Sequence, residues 1–516
     1  MVESNPIVIV GSGHNGLVAA NYIAQTGLEV LVLERRSFVG GACITEELFP
    51  NFRVSSCSYI CHLLHNKIIE DLDLKSFGLE IYPLDPLTFS PFRDGQAILR
   101  WHDDERTAQE ISLISEKDAH NYYKWLEFWK TASGVLYRYF LKDAPSYSEI
   151  LSSIKGTPDE LVFKRMLNGN MKDLVEEYFE SDLVRAFFID AQDAGDITAP
   201  GSIISVAYIK CNQFTDHSNL GIPKGGMGSI TQSMAKAALA NGVKIRINSE
   251  VTQIEASDGK VTGVTLTSGE TIKSATILSN ADPKRTFLNL IHPDELSNSF
   301  IENIEALKTD AAYLKFHCSM KTLPDFSNYI KGNYDTKALA YIRICPSVEY
   351  FQNSWDDAKK GLPSSSPILY IQIPTVYDNT MAPEGQHVMS VWVMYAPAKL
   401  KTGSWSSLKN EVGEHIIATI SEYAPNFPDI IIDWELFTPE DLEERVYLTN
   451  GNIRHLDIVA QQMFSKRPNT LSSDYRTPIK GLYLCGAGTH PGGEVTGAPG
   501  HNAARVVLND LAKTLP

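Results

Sequence analysis

Gly11-Ser12-Gly13-His14-Asn15-Gly16 has residue types and a spacing that suit phosphate chemistry. Gly11 allows a tight turn, Gly13 lets a pyrophosphate approach bare backbone, and Gly16 lets a helix pack closely on a strand. Ser12 and Asn15 complete the candidate loop, while His14 is expected to serve structure rather than catalysis. Glu34 follows Gly11 by 23 residues. That spacing suits a carboxylate that accepts hydrogen bonds from a ribose diol, which means FAD or NAD rather than a phosphorylated ribose.

The elements around this loop must hold it in place. Ile7 to Val10 is an apolar, β-branched run, as expected of a buried parallel strand. Leu17 to Ala24 reads as a helix stopped by Gly27, and Val30 to Leu33 as a second buried strand ending at Glu34. Together they predict a βαβ unit whose helix turns its positive end toward the phosphates.

Further along, Ser229 and Gln232 have capping-box spacing at the start of a helix that runs to Asn241-Gly242. Val243 to Ile247 alternates like a strand. Runs around Val251, from Val261 to Leu266 and from Ile272 to Leu278 predict a β-meander with turns at Asp258-Gly259 and Ser268-Gly269. Leu482 to Cys485 is another buried strand, followed by a glycine-rich loop from Gly486 to Gly500 and a helix from about His501 to Leu511.

The fold class is therefore α/β: a Rossmann-type dinucleotide domain with an interleaved α+β substrate domain. The nucleotide domain is expected over residues 1–94, 216–286 and 469–516. The substrate domain is expected over 95–215, which is helical and aromatic-rich, and over 287–468, which is mixed. The aromatic run from Tyr122 to Phe140 reads as packed core, with an apolar substrate wall as the alternative.

Other reactive residues form weaker patterns. The seven cysteines are scattered and lack CxxC spacing, which suits a reducing compartment. Cys57 and Cys61 are spaced for one face of a helix and read as small hydrophobes. Cys61, His62 and His65 lack a regularly spaced fourth ligand, so no metal is expected. His490 and His501 could act as bases, but hydrogen bonding to loop backbone is the more ordinary role. Cys485 ends a buried strand, which argues against a covalent flavin link.

The formal charge is −16 over 516 residues, which argues against nucleic acid and anionic lipid as partners. No run approaches ~20 apolar residues, the length of a membrane span. The N-terminus leads straight into a strand without a targeting pattern, so a cytoplasmic location is expected. Peripheral membrane contact, self-association and a protein partner all stay open.

From Glu34 through Arg35, Arg36, Gly40, Gly41 and Ala42, the chain resembles the ExR…GG extension of glutathione-reductase-like and amine-oxidase-like flavoproteins. That resemblance implies non-covalent FAD. Ala42 stands where the amine oxidases and desaturases usually carry arginine, so that phosphate contact is absent or supplied elsewhere, with Arg36 as the candidate substitute and a solvated surface arginine as the alternative reading. Disulfide reductases pair a cysteine after the glycines with a second one five residues on. Here Cys43 stands near the first place and Leu48 in the second, so no thiol relay is expected.

A wider series of blocks resembles the carotenoid (phytoene) desaturase and ketolase superfamily: Ile9 to Ala20, Gly40 to Glu47, Gly221 to Gly228, Ser279 to Asp282 and Gly486 to Gly493. It covers nearly the whole chain. The resemblance implies that Val251 holds the adenine through its backbone and that Asn280 lies near the cofactor. It also implies that Gly486, Gly488 and Val495 line the pyrophosphate, ribityl and ring end. The activity implied is hydride transfer between FAD and a largely apolar small molecule, as in desaturation, saturation or isomerisation. Amine oxidation and a partner-binding flavoprotein with little turnover remain alternatives, and no catalytic acid or base is identified.

Overall fold

Five short strands form an all-parallel sheet in the spatial order Leu482–Leu484, Ile277–Ser279, Ile7–Val10, Val30–Leu33 and Lys244–Arg246. The computed structural model describes residues 5–211, 213–214, 220–330 and 335–514. Ile7–Val10 and Val30–Leu33 are buried throughout, as their unbroken apolar sequences require. One sheet face packs on alanines of three helices, His14–Ala24, Gly228–Ala240 and Ala498–Thr514. Small side chains let these helices come close: a Cβ on Gly500 would sit 2.1 Å from the carbonyl oxygen of Asn15.

The meander is present as Val251–Ser257, Lys260–Leu266 and Thr271–Lys273, all antiparallel. The expected third run divides. Thr271–Lys273 stays in the meander, while Ile277–Ser279 joins the parallel sheet beside Val8 to Val10. The Ser274 hydroxyl marks the bend by reaching the carbonyls of Pro6 and Thr276, both at 2.8 Å.

The capping box at Ser229 does not form. The helix starts at Gly228, and Ser229 Oγ donates to the Gly226 carbonyl at 2.9 Å. Thr45, distant in sequence, caps this end instead by accepting from Gly228 N at 2.9 Å. Cys57 and Cys61 are likewise on irregular backbone rather than a helix face, and Cys61 bridges to Gly221.

A seven-stranded sheet stands beside this unit. Its order is Ile431–Phe437, Ala312–Met320, His387–Ala396, Ile368–Gln372, Tyr341–Ile344, Thr88–Pro91 and Ala97–Arg100. The Thr88–Arg100 hairpin straddles the expected boundary at residue 94 and belongs wholly to this sheet. The cause is its pairing with the distant strand Tyr341–Ile344, which no local pattern announces.

Alternation along these strands sets two faces. Leu314, Phe316 and Val391 enter one core with Trp405 and Ile416 of helix Trp405–Ser421. Tyr313 and Trp392 join the other core, built on the helices between residues 104 and 210. There Tyr122, Trp125, Phe128 and Trp129 are buried in helix Glu116–Tyr137, so most of the aromatic run is core, while Tyr123 is exposed. Among the described residues no helix is long and apolar enough to cross a membrane.

Candidate active site

The phosphate loop, the meander and the seven-stranded sheet surround a cleft. Gly11, Gly13, Asn15, Glu34, Arg36, Gly41, Ala42, Val251, Asn280 and Val495 all line it. The two glycine segments are in contact, for a Cβ on Gly41 would lie 3.1 Å from Gly13 Cα. Gly41 also has φ +57°, which favours glycine.

The remaining expected site residues stand one layer back. Ser12 turns inward to Glu34, donating from its amide at 3.0 Å and its hydroxyl at 2.6 Å. Gly16 packs on the loop itself, where a Cβ would meet Gly11 O at 2.3 Å. Gly40 donates its amide to Ser12 O at 3.1 Å. A Cβ on Gly486 would lie 2.8 Å from Asn280 O, and one on Gly488 would lie 2.3 Å from the Pro283 ring. Ala487, between them, forms the wall.

The cleft has the polar groups that a dinucleotide requires. Helix His14–Ala24 starts at its edge without a side-chain cap, so first-turn amides are free for an anion. Arg36 Nη1, Asn15 Oδ1, His14 Nε2, His62 Nε2 and His455 Nδ1 are buried without hydrogen-bond partners, and their residues all line this cleft. Buried polar atoms call for partners, and a polar ligand in this cleft would supply them. Burial, aided by His455, pushes His14 down to about 4, so its ring is neutral at neutral pH. These residues fit FAD.

Several wall residues carry no sequence motif. Lys315 lies on the cleft face of its strand, with Nζ 2.7 Å from Ser390 Oγ and 4.7 Å from the Tyr59 ring centre. Burial pushes its ammonium down to about 7. Glu494 follows the glycines of the C-terminal loop, and its Oε1 accepts from Arg454 Nε at 2.6 Å. Burial opposes ionisation of Glu494, yet Arg454 beside it holds the carboxylate below its ordinary range. Arg454 also pairs with Asp193, which accepts from the Tyr313 hydroxyl as well. These four residues are far apart in sequence, and only the fold brings them together.

The expected histidine roles divide similarly. His490 Nε2 stands 2.8 Å from the Tyr139 carbonyl, which ties down the loop. His501 meets Tyr22 edge-on and contacts Asn502 Oδ1 at 2.9 Å. His65 caps helix Asn66–Asp71 by accepting from Lys67 N. All seven cysteines are buried and free.

A parallel glycine-loop domain joined to a large, mostly antiparallel sheet defines a flavin-dependent oxidoreductase. The family model for flavin containing amine oxidoreductases matches residues 16–508, and the chain belongs to that family. FAD is its cofactor. The rat protein called pyridine nucleotide-disulfide oxidoreductase domain-containing protein 2 is 32% identical, over 98% of this chain and 93% of its own. A limonene dehydrogenase polypeptide from Castellaniella defragrans is 28% identical, over 99% and 95%. Among solved structures, cyclohexylamine oxidase from Brevibacterium oxydans aligns with TM-score 0.59 and 14% identity, over 99% of this chain and 100% of that one.

Proposed function

We propose that this chain binds FAD non-covalently along the cleft and passes a hydride between the flavin and a largely apolar organic substrate. The carrying observation is a second cavity that shares Tyr59, Ile60, His62, Trp392, Ile453 and Glu494 with the first. A substrate there would stand against one end of the dinucleotide. The cleft and second cavity also divide the labour of the two domains, one for cofactor and one for substrate.

Each binding residue has a physical task in this reading. Glu34 accepts from the ribose hydroxyls, and Val251 meets the adenine with its backbone. Gly11, Gly13 and Gly41 leave room for the pyrophosphate, which the amides at the start of helix His14–Ala24 and the Arg36 guanidinium neutralise. Asn15, Ala42, Asn280 and Val495 complete the walls, while Ser12, Gly16, Gly40, Gly486 and Gly488 hold those walls in position. Bound FAD supplies a two-electron hydride acceptor. Lys315 holds a proton at Nζ near neutral pH, where a buried amine can both give and take one.

The relative named for limonene, an apolar hydrocarbon, supports a desaturase-like direction for this chain. The test is anaerobic mixing of the purified yellow protein with lipophilic alkenes and with polyamines. Bleaching of the flavin by the lipophilic donors is expected. Bleaching by polyamines alone, or by neither class, would overturn this reading.

A further inference from the structure

We infer that the second cavity takes its substrate as an organic acid, with an apolar body and a carboxylate held by Arg100 and Lys210. The inference rests on the hydride-transfer reading and specifies its substrate. It begins from a contrast of charge. The whole chain has a formal charge of −16, yet the second cavity is lined by Arg100, Lys210, Arg343 and Arg454 against Asp190 and Glu494.

Four of those six charges are already engaged. Arg454 and Glu494 pair with each other. Asp190 is occupied by the amides of Ala191 and Gln192 and the Gln192 side chain, at 2.7, 3.0 and 2.7 Å. Arg343 gives its guanidinium to the carbonyls of Ala186 and Ile189 at 2.8 and 2.6 Å and to Tyr370 at 3.2 Å.

Arg100 and Lys210 remain. Arg100 reaches Gln213 through Nη1 at 3.5 Å, and its Nε is buried without a partner. The Nε–Nη2 edge of the guanidinium is thus free, and its two parallel donors match a carboxylate. Among the described residues, Lys210 has the Trp129 ring at 5.5 Å and no carboxylate in ion-pair reach. Burial, with Arg100 and Arg343 nearby, pushes Lys210 down to about 7, and Asp190, whose carboxylate is already taken up by amides, only partly offsets this.

Position gives the molecule its polarity. Arg100 and Lys210 line the second cavity but not the FAD cleft. Phe187, Phe188, Val206 and Ile209 also line the second cavity and supply its apolar surface. An acid seated there places its carboxylate at the cationic end and its hydrocarbon toward the flavin. A protonated amine would add like charge to Arg100 and Lys210, which disfavours it.

The test titrates the FAD-loaded protein with decanoate and cinnamate and with their methyl esters, read as a change in flavin absorbance. Each acid is expected to bind at least about tenfold more tightly than its ester. Arg100→Met and Lys210→Met are each expected to erase the preference without weakening the ester. Arg100→Lys, which keeps the charge, is expected to retain part of it and to show that the site still folds. Equal binding of acid and ester, a preference that survives both substitutions, or no spectral change with either acid would overturn the inference. Flavin bleaching is scored separately. An acid that binds selectively without reducing the flavin supports this inference and counts against hydride transfer.

Discussion

Ser12 places its amide and its hydroxyl on a single carboxylate oxygen of Glu34, at 3.0 and 2.6 Å. The other oxygen accepts from Arg36 N at 2.8 Å. The carboxylate is therefore fixed before any ribose arrives, and binding need not order it. Ser12→Ala removes one charge-assisted bond and keeps the amide. We expect FAD to bind the apoprotein about tenfold more weakly, in line with roughly 1.5 kcal/mol for such a bond. Glu34→Ala is expected to lose considerably more. Fluorescence titration of the apoprotein with FAD checks both, and unchanged affinity in Ser12→Ala would show that Glu34 is oriented by other groups.

Gly13 separates two effects that glycine loops usually combine. A Cβ at this position would lie 2.8 Å from Asn280 Nδ2, the movable end of a side chain. Gly13→Ala is expected to lower both thermal stability and flavin content. Adding Asn280→Ala removes the clash, so stability should recover. Flavin content should stay low, because the new methyl still occupies the space proposed for the pyrophosphate. Full recovery of both quantities would place the cofactor elsewhere.

The parts legible from sequence are those built from neighbours in the chain. The loop from Gly11 to Gly16, the strand before it and the acid at Glu34 lie within one βαβ unit, where spacing alone dictates the geometry. The misses come from distant partners. Ser229 has the spacing of a cap, but Thr45 takes the amide that a cap would satisfy. Gly486 and Gly488 lie in the anticipated loop, yet they pack on Asn280 and Pro283 and leave Ala487 at the wall. Lys315 and Arg454 belong to no motif. Their chemistry comes from burial and from partners 75 and 261 residues away in sequence.

The pairing of Arg454 with Asp193 and Glu494 yields a stability prediction. Arg454 and Asp193 have side chains only 1% exposed. Arg454→Met leaves two carboxylates buried without their counter-charge, which costs about 3–5 kcal/mol. A fall of that size in urea unfolding is expected. Adding Asp193→Asn, which removes one orphaned charge, is expected to recover part of it. A loss below about 1 kcal/mol in Arg454→Met would mean that water enters the site and solvates the carboxylates.

Lys315 gives a pH dependence whose sign follows from its environment. Its ammonium is 1% exposed and is pushed from an ordinary 10.5 to about 7 by burial, with Cys57 as the opposing neighbour. Above the ordinary value the amine is neutral in both folded and unfolded chains, and burial carries no charge penalty. As pH falls from 10.5 the unfolded chain binds the proton first, so the folded state loses stability until about pH 7. Below that both states are charged, and the penalty is complete and constant. Lys315→Met removes this penalty at every pH. The hydroxyl of Ser390 loses its partner as well, but that cost does not change with pH. The variant should therefore gain stability relative to the parent as pH is lowered from about 10 to about 7, with a constant gap below. Urea unfolding across that range measures the gap, and a gap that stays flat from about pH 10 to pH 7 would mean that Lys315 keeps an ordinary proton affinity.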